Sequence, residues 1–422
     1  MMLTAGEHTL RDPKFMRSET NMFKEIARTS AAVIGSLAIT SIGLPAHAFT
    51  PTMSEVRFIS GPASDDSLDG LALTSDAAAA VVLSGGDAWV VDVATNTSTS
   101  ISTPYYAHSL IIDDSDTFAY IAESAGTYPT YTYQVSKVSL SNATVVSTWP
   151  DADFTFAPQY MFWSDDALHI YMVGNVGNYP NYSVAVAKLN VATGAITQQV
   201  WGDGDPGYRA NQPAFDTVSG KIMIPYSDVD TGLVTGFTVY NTATDTVTDI
   251  PWVGDSALIA CDSQSGVVAC LVDDTEPYIA TINSSGAVVT SLDLNSAVVD
   301  AQYVRLTPDA SQAYVYGEDG DSSVGNVEVI DLTLMSSVMV FYTTMDYPNL
   351  VVMAPDAGQI WFTADYIEDY NGGYRVVQFA DVNLADTGPN TAIGGALTAL
   401  SVLALAVGVA MRFGTRRQQV QQ

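Results

Sequence analysis

Basic residues are scarce in this chain. Lysine and arginine number 15 against 46 aspartates and glutamates, a formal charge of −31 over 422 residues. A nucleic-acid backbone is bound by cations that displace its counterions, so DNA and RNA are excluded as partners. Two cysteines cannot build a disulfide-dense scaffold. Four histidines leave little for imidazole chemistry, and no Cys-x-x-Cys pair offers a zinc site. There is no Gly-x-Ser-x-Gly elbow and no Ser/His/Asp set to nominate as a triad. No segment of useful length between Phe49 and Asp386 shows the helical period. Apolar material is plentiful at 47% hydrophobic and 10% aromatic, enough for a large core and incompatible with a disordered chain.

The ends of the chain read as addresses. Lys24 and Arg28 precede an apolar run from Ala31 to Leu44, and Ala46-His47-Ala48 supplies small residues at a cleavage site. Residues 1–48 are therefore expected to be a secretory signal peptide, the run being too short to span a bilayer comfortably. The stretch before Met22 is long for a signal's polar start, so translation is expected to begin at Met16 or Met22. At the other end a run of 21 residues, 391–411, is long enough to cross a membrane and is followed by Arg412, Arg416 and Arg417. Immediately before it stands Leu384-Ala385-Asp386-Thr387-Gly388.

That order of pentapeptide, apolar run and basic tail resembles the cell-wall sorting signal of Gram-positive bacteria. The usual motif is LPxTG. The form with Ala385 in place of proline resembles the substrates of class E sortases in high-GC species. The resemblance covers residues 384–422. It implies a sortase as partner, cleavage between Thr387 and Gly388, and transfer of the Thr387 carboxyl to a peptidoglycan amine. The expected location is outside the cell, held first by the membrane and then by the wall.

Trimming both ends concentrates the charge. Of the 46 acids only Glu7, Asp12, Glu19 and Glu25 precede Phe49 and none follows Thr387, which leaves 42. Against them stand seven bases, for a net charge of −35. Such a charge keeps a wall protein soluble and self-repelling, and it raises the question of calcium.

Residues 49–383 carry a repeat. Strand-turn-strand stretches recur around Asp92, Leu140, Asn190, Asn241, Asn283 and Asp331, at gaps of 48, 50, 51, 42 and 48 residues, with a last partial copy at 376–384. Before each comes a second hairpin, as in GLALTSDAAAAVVLS (70–84), YMFWSDDALHIYMV (160–173), YVRLTPDASQAYVY (303–316) and LVVMAPDAGQIWFT (350–363). Asp-containing tight turns join their strands. Four short strands per 40–50 residues is the signature of a β-propeller, and seven units predict an all-β, seven-bladed one. These repeats resemble the YVTN-type bacterial surface propellers over most of 54–384. The seventh unit lacks a fourth strand, and EVRFIS (55–60) is spare. Residues 55–60 are thus expected to pair beside 375–379 and close the ring.

The loops expected at one face are rich in Tyr, Asp and Asn, which suits recognition of a protein or glycan. Two share a Tyr-Pro-x-Tyr spacing, at Tyr128–Tyr131 and Tyr179–Tyr182, and these four tyrosines are the candidate ligand contacts. Each Tyr-Pro could equally cap its own hairpin. Asp203-Gly204-Asp205, Asp228-Val229-Asp230 and Asp319-Gly320-Asp321 begin like calcium loops but do not continue to a closing glutamate. No cofactor is expected, with calcium the open alternative. The Asp-box repeats of sialidases are missing, and no catalytic residue stands out. Cys261 and Cys270 flank a Ser265-Gly266 turn, either bonded across the hairpin or packed as small apolar residues. The leading expectation is a wall-anchored binding or adhesion propeller. The alternative is a secreted hydrolase or lactonase-like enzyme with a channel-bound calcium.

Overall fold

Short β-rich segments separated by Asp, Asn and Gly turns give 29 strands among the described residues. The computed structural model describes residues 52–60, 68–103, 105–126, 131–150, 154–178, 181–201, 208–228, 234–251, 257–274, 276–318, 324–346, 348–354, 359–364 and 373–380. Residues 1–48, expected to be a signal peptide, the pentapeptide at 384–388 and segment 391–411 lie outside them.

The strands group in chain order into sheets. After β1 (Thr52–Ser60), sheet 1 holds β2 (Leu68–Leu73), β3 (Ala79–Ser84), β4 (Asp87–Asp92) and β5 (Thr97–Ile101). Sheet 2 holds β6 (Tyr106–Ile112), β7 (Phe118–Ala125), β8 (Thr132–Ser139) and β9 (Thr144–Pro150). Sheet 3 holds β10 (Ala157–Trp163), β11 (His169–Asn178), β12 (Asn181–Asn190) and β13 (Ile196–Trp201). Sheet 4 opens with two short pieces, β14 (Tyr208–Ala210) and β15 (Ala214–Asp216), then β16 (Lys221–Asp228), β17 (Val234–Asn241) and β18 (Thr246–Pro251). Sheet 5 holds β19 (Ala257–Gln264), β20 (Val267–Asp273), β21 (Tyr278–Ile282) and β22 (Val288–Asp293). Sheet 6 holds β23 (Asp300–Leu306), β24 (Gln312–Glu318), β25 (Val324–Asp331) and β26 (Ser336–Asp346). Sheet 7 holds β27 (Pro348–Ala354), β28 (Gln359–Ala364) and β29 (Gly373–Ala380), with β1 on its outer edge. Paired strands within every sheet are antiparallel, and the described residues contain no helix.

Strand periodicity explains how the sheets stack. Successive side chains of a strand face opposite ways. In β3, Ala80 and Val82 pack toward Trp361 of sheet 7, while Val81 and Leu83 pack toward Ile121 of sheet 2. In β24, Tyr314 and Tyr316 face Phe362 of sheet 7, and Ala313 and Val315 face Leu271 of sheet 5. Central strands are therefore buried on both faces, and they read as near-continuous apolar runs. The fourth strands are polar where they meet water, as in Thr97–Ile101, where only Ile101 is buried. Each hydrophobic cluster joins one sheet to the next, and one of them joins sheet 7 to sheet 1. The fold is all-β and propeller-like.

The repeated Asp turns share one hydrogen-bond pattern. Thr74 Oγ1 donates to Asp76 Oδ1 at 2.8 Å, and that oxygen also accepts from Ala78 N at 2.9 Å. Ser164, Asp166 and Leu168 repeat this at 2.6 and 2.9 Å, as do Thr307, Asp309 and Ser311 at 2.6 and 3.0 Å. These bonds hold the Asp76 and Asp166 carboxyls below the usual range.

Closure uses both ends of the domain. β1 lies antiparallel to β29 in a ladder from Thr52↔Ala380 to Ser60↔Gly373, with Val56 opposite Val377 and Phe58 opposite Arg375. In sheet 5, Ser265 (φ 49°) and Gly266 (φ 81°) make a tight hairpin turn. It places Cys261 opposite Cys270, and the two are joined by a disulfide.

Candidate functional site

The first strand of every sheet carries one residue too many. In β2 the register steps from Leu68↔Ser84 to Gly70↔Leu83, which makes Asp69 the bulged residue. The same step isolates His108 in β6, Gln159 in β10, Ile259 in β19, Gln302 in β23 and Asn349 in β27. In sheet 4 the interruption between β14 and β15 sets Asn211, Gln212 and Pro213 against only Ile224 and Pro225. Bulges re-aim side chains and cluster beside functional sites. Here they recur at one level of every sheet, and six of the seven interruptions carry a polar side chain. Two are made room for by glycine. A Cβ at Gly174 would lie 2.6 Å from the Ala157 carbonyl oxygen, and one at Gly317 would lie 2.5 Å from that of Asp300.

Several bulge side chains are held by the neighbouring second strand. His108 Nε2 meets Ser124 Oγ. Asn175 Nδ2 donates to Gln159 Oε1 at 3.0 Å, and Gln302 Nε2 donates to Glu318 Oε1 at 3.3 Å. Burial lowers the pKa of His108, which keeps its ring neutral.

Inside this collar lies a cavity of about 160 Å³, lined by first-strand residues of sheets 1, 2, 3, 6 and 7 and by Gln212 and Pro213 of sheet 4. Two links, one buried and one partly buried, stitch the sheets around it. Gln212 Nε2 donates to the carbonyls of Cys261 at 3.1 Å and Val304 at 3.2 Å. Arg305 donates through Nε to Val351 O at 3.1 Å and through Nη1 to Asp262 Oδ1 at 3.1 Å. Asp262 Oδ2 takes the Leu306 amide at 2.8 Å. One arginine thus joins sheets 5, 6 and 7. Burial raises the pKa of Asp262 even though Arg305 pulls it down. Burial likewise pushes the Tyr160 phenol, in the cavity wall, up to about 12. Ser109 also lines the cavity, only 6% exposed, and its hydroxyl has no hydrogen-bond partner in the protein.

At the loops between sheets 2 and 3 the aromatic rings form a row. Phe156 and Phe154 are buried with centroids 5.3 Å apart. Tyr133 follows at 5.9 Å, and Tyr131 at 6.3 Å from Tyr133. Tyr131, at the row's outer end, is 46% exposed. The core therefore runs out to the surface at one of the four tyrosines singled out in the sequence. Tyr182 is half-buried on β12, opposite Gly177. Tyr128 and Tyr179 lie outside the described residues.

The acidic fragments at 203–205 and 319–321 also lie outside the described residues, as does Asp230. Among the described residues no group of three or more His, Cys, Asp or Glu is placed to hold a metal. His169 sits at a hairpin end, 3.3 Å from Asn190 Nδ2 and 3.6 Å from Asp166 Oδ1. Two buried glutamates were missed in the sequence. Glu123 takes a bond from Gln134 Nε2 at 2.8 Å and Glu328 from the Asn295 amide at 2.8 Å, each with its other oxygen unpartnered. Burial raises the pKa of Glu123. Their strands read as ordinary alternation, so nothing in the pattern marked them.

No protein-family model matches the chain, and a search of curated proteins found no match. Among solved structures, the chain is similar to a chain of Kuenenia stuttgartiensis hydrazine synthase, with a TM-score of 0.54 and 13% identity. The match covers 80% of this chain and 99% of that one. At that identity the likeness concerns the fold alone.

Proposed function

We propose that this protein is a seven-bladed propeller displayed on the bacterial cell wall as a binding or adhesion module, recognising a protein or glycan through its tyrosine-rich loops. The observation that carries this reading is the row from Phe156 to Tyr131. A half-exposed tyrosine backed by packed rings is rigid, so contact with a partner costs little side-chain entropy. The seven successive sheets and their paired termini support seven blades. The strongly acidic surface and the LADTG pentapeptide support life outside the cell.

The enzyme reading, with a channel-bound calcium, has less behind it. The cavity offers one carboxylate, Asp69, beside an arginine already paired with Asp262. Oxygen-rich calcium sites call for more acids than that.

Two outcomes are expected. Changing Tyr128, Tyr131, Tyr179 and Tyr182 to Ser should lower binding to arrayed glycans or immobilised host proteins by tenfold or more, roughly the weight of an aromatic hot spot. The melting temperature should hold; if it collapses while affinity per folded molecule persists, the tyrosines are hairpin caps. Thr387→Ala should leave the protein in membrane and medium. Continued release only by muralytic digestion would defeat the wall-anchor assignment.

A further inference from the structure

We infer that Tyr106 and Tyr131 form a two-ring platform that holds the basic side chains of an extended partner polypeptide. The inference rests on the loop-binding reading above, adds Tyr106 to it and names the partner's chemistry. Tyr106 opens β6 and is 49% exposed, against 46% for Tyr131. Its ring is fixed from two sides. It lies over Gly86 (φ 86°) of sheet 1, where a Cβ would leave it no room. It also meets the ring of His108, itself held by Ser124, with centroids 5.1 Å apart. A ring held this way offers contact surface at little entropic cost. Strand register then brings the two tyrosines to one end of sheet 2. Tyr106 stands opposite Ser124, Ser124 stands opposite Tyr133, and Tyr131 comes two residues before Tyr133. At ~4.8 Å between strands and ~3.3 Å per residue, the Cα atoms of Tyr106 and Tyr131 lie about 12 Å apart.

The class of partner follows from charge. The chain carries 46 acids against 15 bases. The end of sheets 1 and 2 that holds Tyr106 carries Asp69, Asp87 and Glu123 and, among the described residues, no base. Asp87 is exposed and follows Gly86 directly. The one described base of these two sheets, Lys137, lies at the other end, 3.8 Å above the Phe118 ring. An anionic partner would be repelled here, and a cationic one drawn in and oriented. Tyrosine faces hold ammonium and guanidinium groups within about 6 Å of the ring centroid. This protein uses its own lysines in that way, with Lys137 5.5 Å from the Tyr120 ring and Lys188 5.7 Å from that of Tyr171. In an extended peptide, residues i and i+4 point the same way and lie about 13 Å apart. A Lys-x-x-x-Lys segment, or its arginine form, therefore matches the spacing of the two rings.

The test is biolayer interferometry with the purified protein. Sensors are densely coated with the peptide Lys-Ser-Ser-Ser-Lys, with its Gln and Glu counterparts, or with a neutral oligosaccharide, chitotetraose. Among the peptides only the lysine form should retain the protein, and less so as salt is raised. Tyr106→Leu and Tyr131→Leu should each weaken retention about two- to fivefold, the weight of one exposed cation–π contact. Tyr106→Phe keeps the ring and should bind like the parent. Because Tyr106 also covers Gly86, a second measurement needs no ring to be removed. In protein with isotope-labelled tyrosine rings, the lysine peptide should shift the NMR signals of both Tyr106 and Tyr131, assigned by Tyr→Phe exchange. The inference is overturned if the glutamine peptide binds as well as the lysine one, if both Leu variants bind like the parent, or if neither ring signal moves. Chitotetraose binding that Tyr131→Leu removes, with no lysine-peptide binding, would overturn the cationic partner and leave the loop-binding reading standing. If Tyr131→Leu weakens nothing while Tyr106→Leu does, the loop-binding reading fails and the platform with it.

Discussion

Replacing Arg305 with Ala is expected to cost about 3–5 kcal/mol, because it strands the Asp262 carboxylate in the interior. The pair is partly enclosed on the arginine side and almost wholly on the aspartate side, with side-chain exposures of 31% and 9%. The Asp262 pKa is already raised in the folded state by burial. A group whose folded pKa lies above its unfolded value stabilises the fold only as it takes up its proton. Stability from this site therefore falls as pH rises from the unfolded carboxylate range through the folded pKa. Removing Arg305 takes away the one influence that most lowers that pKa, so the loss in Arg305→Ala should be larger at mildly alkaline than at mildly acidic pH. Adding Asp262→Asn should recover much of it, since the amide oxygen can still accept from Leu306 N. Urea unfolding of the three proteins at both pH values checks this. An Arg305→Ala protein as stable as the parent at alkaline pH would show that the link between sheets 5, 6 and 7 carries no energy.

Deleting residues 52–60 is the second large effect. It removes eight paired positions between β1 and β29 and bares the edge of sheet 7. At roughly 0.5–1.5 kcal/mol net per hydrogen bond the loss is on the order of 5 kcal/mol, and the open edge invites aggregation. Scanning calorimetry should show a marked fall in melting temperature. A synthetic TMSEVRFIS peptide added in excess should restore part of it, by strand addition to the vacant edge. A truncated protein that melts like the parent would mean that β1 is dispensable.

The sheets were legible because their signals are local. Apolar alternation and Asp turns recur at nearly fixed spacing, and the pairing of 55–60 with 375–379 followed from counting strands. The collar was not legible, and the reason is visible in where the sequence-read strands began. They started at Gly70, Tyr160, Tyr303 and Leu350. Each is the residue just after a bulged one, because alternation restarts there. A bulge looks like a loop end when only the pattern is seen. The split of the first strand of sheet 4 was hidden in the same way. Arg305 and Asp262 lie 43 residues apart in different repeats, and no spacing rule joins them. The four tyrosines were read alike from their loops; the backing of Tyr131 by Phe154 and Phe156 depends on how two sheets meet.

The paired ends of the domain also set a clock on folding. β1 is synthesised first among the strands, and its partner β29 last, so its ladder cannot form until nearly the whole domain has been made. During synthesis the early strand waits as a loose β-forming segment while the other sheets assemble behind it, and closure must bridge a loop that spans nearly the whole domain. Glu55 and Arg57 interrupt that segment with charge, a pattern that discourages it from pairing with a neighbouring chain in the meantime. Synthesis rate and the crowding of nascent chains would then govern the yield of closed domains as strongly as the stability of the finished fold.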